Sequence, residues 1–289
     1  MDSPTVLRRR LGSELRRLRE RTGRQAKSVA DQLGFSATKV SRIESGQTTL
    51  KESDIRAMLE LYGVSDEAEL RQFISLTRRS TQRGWWHDYA DTLPDWFQTY
   101  VGLEADAARI RSYETELIPG LFQIPEYSRA VFRASLVGQD GDIEGTVDRR
   151  SQLRTQRQEV LHRTDPPVIH AVLNEAALSR PIGGTGVMRE QILHLLKLVE
   201  RPNLSVRVLP LSAGAHAAMS MPFHILSFSD VPGQLVYVEA LTSSLYLERE
   251  ADIARHEFVF DRLTEMAMSP QESATWMNRL LKENYRNDS

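Results

Sequence analysis

Residues 32–47, QLGFSATKVSRIESGQ, restrict this chain more than any other stretch. Gly34 follows the apolar positions Val29, Ala30 and Leu33, where a helix that ends in a left-handed residue calls for glycine. Ser36 then offers a side-chain oxygen to cap a second helix, whose Val40 and Ile43 fall on one face. The other face carries Thr38, Lys39 and Arg42. Two short helices joined by a tight turn, with polar and basic groups outward, are what a DNA major groove accepts. Packing two helices together does not by itself ask for that outer face.

The flanking sequence predicts an all-α domain of five helices around this pair. Leu7, Leu11, Leu15 and Leu18 recur at helical spacing, with Arg8, Arg9, Arg16 and Arg17 largely off the stripe, and Gly23 ends this first helix. The second covers Gln25 to Leu33 and the third Ser36 to Ser45. SGQTTL reads as a loop, KESDIRAMLELYG as a fourth helix through Ile55, Met58, Leu59 and Tyr62, and SDEAELRQFISLTRRS as a fifth opened by Ser65. Charge follows the same division. Residues 1–83 hold 17 Lys and Arg against 11 Asp and Glu, whereas residues 84–289 hold 20 against 28, so a net charge of -2 conceals a basic and an acidic part. A basic module suits phosphate, where each neutralised contact releases counterions. A solvated arginine face on the first helix is the bland alternative.

At 289 residues, and roughly 100 to 200 residues per domain, two domains are expected, 1–83 and 84–289. The absence of cysteine excludes disulfides and thiolate zinc sites and suits a reducing cytoplasm. No apolar run approaches a membrane span. The arginine-rich start is interrupted by Glu14 and Glu20 and lacks the pattern of a transit peptide.

Residues 84–289 read as an α+β domain. Trp85, Trp86, Tyr89, Trp96, Phe97 and Tyr100 crowd its beginning, as core or interface aromatics do. Helices are predicted near 95–110, 125–136, 145–162 and 187–200, strands at PVIHAVLN, LSVRVLP, FHILSFS and QLVYVEAL, and a further helix at EADIARHEFVFDRLTEMAM. Enzyme chemistry finds little here. His87, His162, His170, His194, His216, His224 and His256 show no metal-ligand spacing, and there is no G-x-S-x-G. Gly183, Gly184 and Gly186 precede a helix, but Arg189 stands where a dinucleotide fingerprint wants glycine, so a flexible loop is the better reading. Glu175 and Glu239, each ending a predicted strand, are candidates for paired carboxylates. Arg149, Arg150, Arg154 and Arg157 share a predicted helix face, read first as a salt-bridged surface and second as a site for an anionic ligand or acidic partner. No cofactor, metal or catalytic residue is expected.

The pattern of Ala30, Gly34, Val40 and Ile43 followed by SRIESG resembles phage-repressor-like regulators of the xenobiotic-response-element type. That resemblance implies DNA contacts from Ser36, Ala37, Thr38, Lys39 and Arg42, and a structural ion pair of Arg19 with Glu44. Such families usually begin the second helix with Ser or Thr followed by Gln; here the pair is Gln25 and Ala26, and Arg24, Gln25, Gln47 and Lys51 are the candidates for phosphate contacts instead. Arg42 and Lys39 can each reach guanine or phosphate, and Thr38 either base type.

The whole layout, with GWWHDYADTLPDWFQTYVGLEADAARIRSYETELIPGLFQIPEYSRAVFRA, RRSQLRTQRQEVL and LVYVEALTSSLYLE, resembles WhiJ-like actinomycete regulators. Where that family more often has LLQT, this chain has Leu121, Phe122, Gln123 and Ile124. The resemblance implies a transcriptional regulator controlled by contact with a small partner protein; the aromatic segment after the fifth helix and the arginine helix face make Trp85, Trp86, Arg150 and Arg154 candidate contacts for a small-molecule effector or that partner. One helix-turn-helix reads only a half-site, so a homodimer on double-stranded DNA is expected. The alternatives are an antitoxin-like protein that autoregulates, or an enzyme acting on a nucleotide or small molecule through the second domain.

Overall fold

The computed structural model describes residues 3–82, 84–138, 140–219, 221–229 and 234–286. Two compact units divide the chain: one takes in residues up to Asp88 with Gln98–Asp106 and Ser229, the other Tyr89–Phe97, Ala107–Phe228 and the chain from residue 234. The boundary expected at Arg83 lies outside the described residues; the first unit runs on to Asp88 and takes in Gln98–Asp106. Ser3 Oγ donates to the Gly102 carbonyl at 2.8 Å, and a Cβ at Gly102 would stand 2.4 Å from Thr5 Oγ1 and 2.7 Å from the Trp86 ring. These contacts bind Trp86 and residues 98–106 to the first helix.

In the first unit, α1 (Pro4–Arg21) begins with Ser3 as N-cap and Pro4 at its first position, a combination that satisfies free N–H groups and presets the backbone. α2 (Ala26–Leu33) ends at Gly34 with φ 66°. α3 (Ala37–Glu44) is capped by Ser36, α4 (Glu52–Leu61) follows, and α5 (Glu67–Ser80) is capped by Asp66 rather than Ser65. Leu11, Leu15, Leu18, Val29, Ala30, Val40, Ile43, Ile55, Met58 and Leu59 form one buried core. α6 (Asp95–Asp106) stops short of the expected residue 110.

In the second unit the chain runs β1 (Arg109–Glu114), α7 (Pro125–Ser135), α8 (Ile143–Arg157), β2 (Val168–Asn174), α9 (Glu175–Ser179), α10 (Thr185–Leu198), β3 (Leu204–Leu209), β4 (Phe223–Ser227), β5 (Gln234–Glu239), β6 (Ser244–Leu247), α11 (Glu250–Met266) and α12 (Pro270–Glu283). The sheet order is β3-β2-β1-β4-β5-β6. β1 is parallel to β2, and β2 to β3, across the helical connections that parallel pairing requires; β4, β5 and β6 follow as antiparallel neighbours. Val259, Phe260 and Leu263 of α11 pack on Tyr113, Phe223, Ile225, Val236 and Val238, one face of the sheet. At the β3 edge Val208 N donates to Ser273 Oγ at 2.9 Å, and Met268 N to the Val208 carbonyl at 2.9 Å, so the start of α12 covers that edge.

Several expectations for this unit change. Glu175 and Glu239 are not paired: β2 and β5 are separated by β1 and β4, three strand spacings of about 4.8 Å each. Glu175 accepts from Leu211 N at 2.8 Å and Glu239 from Tyr237 Oη at 2.9 Å. The arginine face of α8 is not a salt-bridged surface throughout. Arg149 does pair with Asp91 at 2.8 Å, but Arg150 Nε donates to the Thr92 carbonyl and Arg157 is only 6% exposed. Gly183 and Gly184 have φ of 76° and 94° and turn the chain into α10.

Candidate nucleic-acid interface

The helix pair α2 and α3 is held from behind and open in front. Val29, Ala30, Val40 and Ile43 point into the core, and the left-handed Gly34 sets the turn between them. Ser36 Oγ accepts from Lys39 N at 3.0 Å, which closes the first turn of α3. At the far end, Gly12 of α1 lies against the carbonyls of Ile43 and Glu44; a Cβ there would come within 2.4 Å and 2.6 Å of their oxygens. Gly46, with φ 70°, lies equally close to the Arg9 backbone. This close crossing lets α1 brace the back of α3.

A charged clamp completes the brace. Arg19 Nε and Nη2 donate to the two Glu44 oxygens at 2.6 and 2.9 Å, and Arg19 Nη1 donates to the Arg24 carbonyl at 2.8 Å. The side chains are 12% and 7% exposed, so one guanidinium ties the end of α1, the entry to α2 and the end of α3 together in a largely dry space. The hydrogen bond to Glu44 raises the Arg19 pKa. Burial, with Glu44 close by, pushes the neighbouring Tyr62 phenol up to about 12, and its hydroxyl has no hydrogen-bond partner among the described residues.

The outer face is polar and accessible. Ser36, Ala37, Thr38, Ser41 and Arg42 are exposed, and Arg42 forms no ion pair among the described residues. Lys39 differs: its Nζ lies 2.9 Å from Asp54 Oδ2 and 3.4 Å from the centroid of the Phe35 ring. Asp54 opens the first turn of α4 and was not a predicted site residue, since nothing in α4 alone shows that it faces Lys39. Around this face Gln25, Gln47 and Lys51 are exposed, and Arg24 Nη1 donates to Gln32 at 3.3 Å. Gln25 makes no side-chain cap on α2.

Residues 10–73 match a helix-turn-helix domain, and residues 97–279 match a domain of unknown function, DUF5753. The chain belongs to the DUF5753 family. It matches no curated protein and no solved structure. The helix-turn-helix domain suggests a DNA-binding regulator. Among the described residues no helix is long and apolar enough to cross a membrane, and no group of His, Asp and Glu side chains is placed to hold a metal ion.

The candidate effector residues do not form one cluster within either unit. Trp85 and Trp86 belong to the first, where Trp86 is buried against Gly84 and Gly102. Arg150 and Arg154 belong to the DUF5753 unit, where Arg154 Nη1 donates to Gln123 at 2.5 Å and its guanidinium lies 4.2 Å from the centroid of the Phe132 ring.

Proposed function

We propose that this DUF5753 chain is a sequence-specific transcriptional regulator with a phage-repressor-like reading head, that it binds double-stranded DNA as a homodimer, and that its second domain controls it. The observation that carries the reading is the outward face of α3, where Thr38 and Arg42 stand exposed on a helix fixed from behind by Val40, Ile43 and the Arg19–Glu44 clamp. In this reading Arg42 is the principal base reader, Thr38 contacts a neighbouring base edge, and Ser36 and Ala37 approach the backbone at the helix start. Lys39, held by Asp54 and Phe35, contributes less. Gln25, Gln47, Lys51 and Arg24 ring the helix and position the duplex through its phosphates. The WhiJ-like layout supports control by a ligand or a small partner.

Selection of binding sites from random duplex DNA with the purified full chain tests this directly. A recurring motif with two related half-sites is expected, and Arg42→Ala costs about 1 to 3 kcal/mol at one base position. Recovery of unselected sequence, with affinity set by salt alone, overturns the proposal.

A further inference from the structure

A cavity of about 510 Å³ opens at the surface of the DUF5753 unit, between the first half of α10 and the end of α12. Arg189 lines it from α10, Asn278, Leu281 and Lys282 from α12, and Tyr285 and Arg286 from the residues that follow. Three of these side chains are cations and none is an acid. The domain around them runs the other way, since residues 84–289 hold 20 Lys and Arg against 28 Asp and Glu. Glu190 and Glu283 neighbour lining residues along the chain, but both are exposed and neither lines the cavity.

The core fixes both walls. On α10, Met188, Ile192 and Leu195 are buried, and Gln191 beside them accepts from Ile124 N at 2.8 Å and donates to the Phe122 carbonyl at 2.7 Å. α12 starts from the reciprocal cap of Ser269 and Glu272, and just beyond its end Tyr285, 2% exposed, donates to the Leu178 and Ser179 carbonyls at 2.9 and 3.0 Å. An opening held this way is formed before anything enters it, which keeps the ordering cost of binding low. The cations on these walls are lightly engaged. Lys282 forms no ion pair among the described residues. Arg286 Nε donates to the Lys282 carbonyl at 2.6 Å, and its two Nη groups have no partner among the described residues. Arg189 reaches the adjacent Glu190 at 3.1 Å, a pair whose acid is 64% exposed and which therefore contributes little. Lys282 and Arg286 have a local reason to be basic, because the end of a helix favours positive charge. Arg189 has none: it stands near the start of α10, whose first turn holds no acidic residue although that end favours one. A concave surface lined by one sign of charge focuses its field and concentrates counter-ions at its mouth.

We infer that this cavity binds a small molecule that carries two or more anionic groups, phosphate or carboxylate. Arg189 meets one group from α10 with its planar fork, and Lys282 and Arg286 meet another from the α12 side. Leu281 and the edge of Tyr285 give an apolar floor between them, and Asn278 a neutral polar contact. A single small monoanion cannot serve both walls. The volume falls within the range of about 300 to 1,000 Å³ usual for small-molecule pockets. The site does not depend on whether the chain selects an operator.

The test uses the full chain without DNA and follows thermal shift and titration calorimetry with pyrophosphate, citrate and acetate at matched ionic strength. Saturable binding of pyrophosphate or citrate is expected, and none of acetate. The tighter of the two identifies the anionic group as phosphate or carboxylate. Arg189→Gln and Lys282→Gln each weaken that binding about tenfold or more, because each removes a charge-assisted contact. Lys197→Gln takes a cation from the exposed side of α10 outside the cavity and changes affinity less than about twofold, since a distant surface charge is screened. The unliganded melting temperature of each variant confirms that it is folded. Absence of saturable binding by both polyanions, equal binding of acetate, or unchanged affinity in folded Arg189→Gln and Lys282→Gln proteins overturns the site. An equal loss in Lys197→Gln overturns it as well, because the ions then respond to net charge alone.

Discussion

The two basic residues on α3 are not equivalent. Lys39 must leave a carboxylate 2.9 Å away and an aromatic face 3.4 Å away before it can reach DNA, whereas Arg42 has no such competitor among the described residues. Lys39→Ala is therefore expected to lower operator affinity less than Arg42→Ala, as binding isotherms on one operator can show. Asp54→Asn releases Lys39 and removes a negative charge from the DNA-facing side, so binding to unrelated duplex tightens and the salt slope steepens by about one. Tyr62 offers a test inside the core. A buried hydroxyl without a partner costs about 1 to 3 kcal/mol, so Tyr62→Phe is neutral or stabilising near neutral pH. The folded phenol titrates at about 12 against an ordinary 10, which means the native state holds the proton more tightly. Its contribution is complete below pH 10 and is lost as pH rises from 10 towards 12. Denaturant unfolding across that range should show a loss in the parent that is smaller in Tyr62→Phe.

Among the elements, α1 approaches the end of α3 closely at Gly12. Gly12 has no room for a side chain, since a methyl would enter the carbonyl oxygens of Ile43 and Glu44. Glycine in a helix interior normally costs about 1 kcal/mol against alanine, yet Gly12→Ala is expected to destabilise by about 1 to 3 kcal/mol because the overpacking outweighs the propensity gain. Chemical denaturation of the two proteins decides the sign. The Arg19–Glu44 clamp behaves as a largely buried pair. Arg19→Ala leaves Glu44 without its counter-ion and should cost about 3 to 5 kcal/mol, whereas a joint Arg19→Met and Glu44→Leu replacement recovers most of that. If the single and double variants unfold at the same denaturant concentration, the clamp is not acting as a buried pair.

For the molecule as a whole, the extent of the first unit sets where the chain can be cut. A fragment ending at residue 83 loses Trp86 and the segment Gln98–Asp106, and with them the Gly102 contacts to Ser3 and Thr5 and the bond from Ser3 N to the Asp106 carboxylate. Its melting temperature should be lower than that of the full chain's first transition. If the DUF5753 domain joins two reading heads, this fragment also sediments as a monomer and binds operator more weakly, because two linked half-sites gain from effective concentration. A fragment that dimerises and binds as tightly as the full chain places the dimer contact in the first unit instead.

Local sequence determined the helices of the reading head, because their periodicity, the left-handed Gly34 and the Ser36 cap are properties of neighbouring residues. It also carried a signal for α12, where Ser269 and Glu272 cap each other around Pro270, although apolar period alone passes over it. β1 had no such signal. Its RIRSYE has just two apolar side chains, on opposite faces, and it is a strand because β2 and β4 pair with both its edges and α11 supplies Glu257 to Arg111. Tertiary structure alone brought Glu114 to His224, 110 positions along the chain, and turned Arg157 inward beneath Phe97. The period of a helix or strand is fixed by bonds along the backbone, so it can be read locally. Which strand lies beside which depends on how the whole chain buries its apolar surface, and that decides where charges meet.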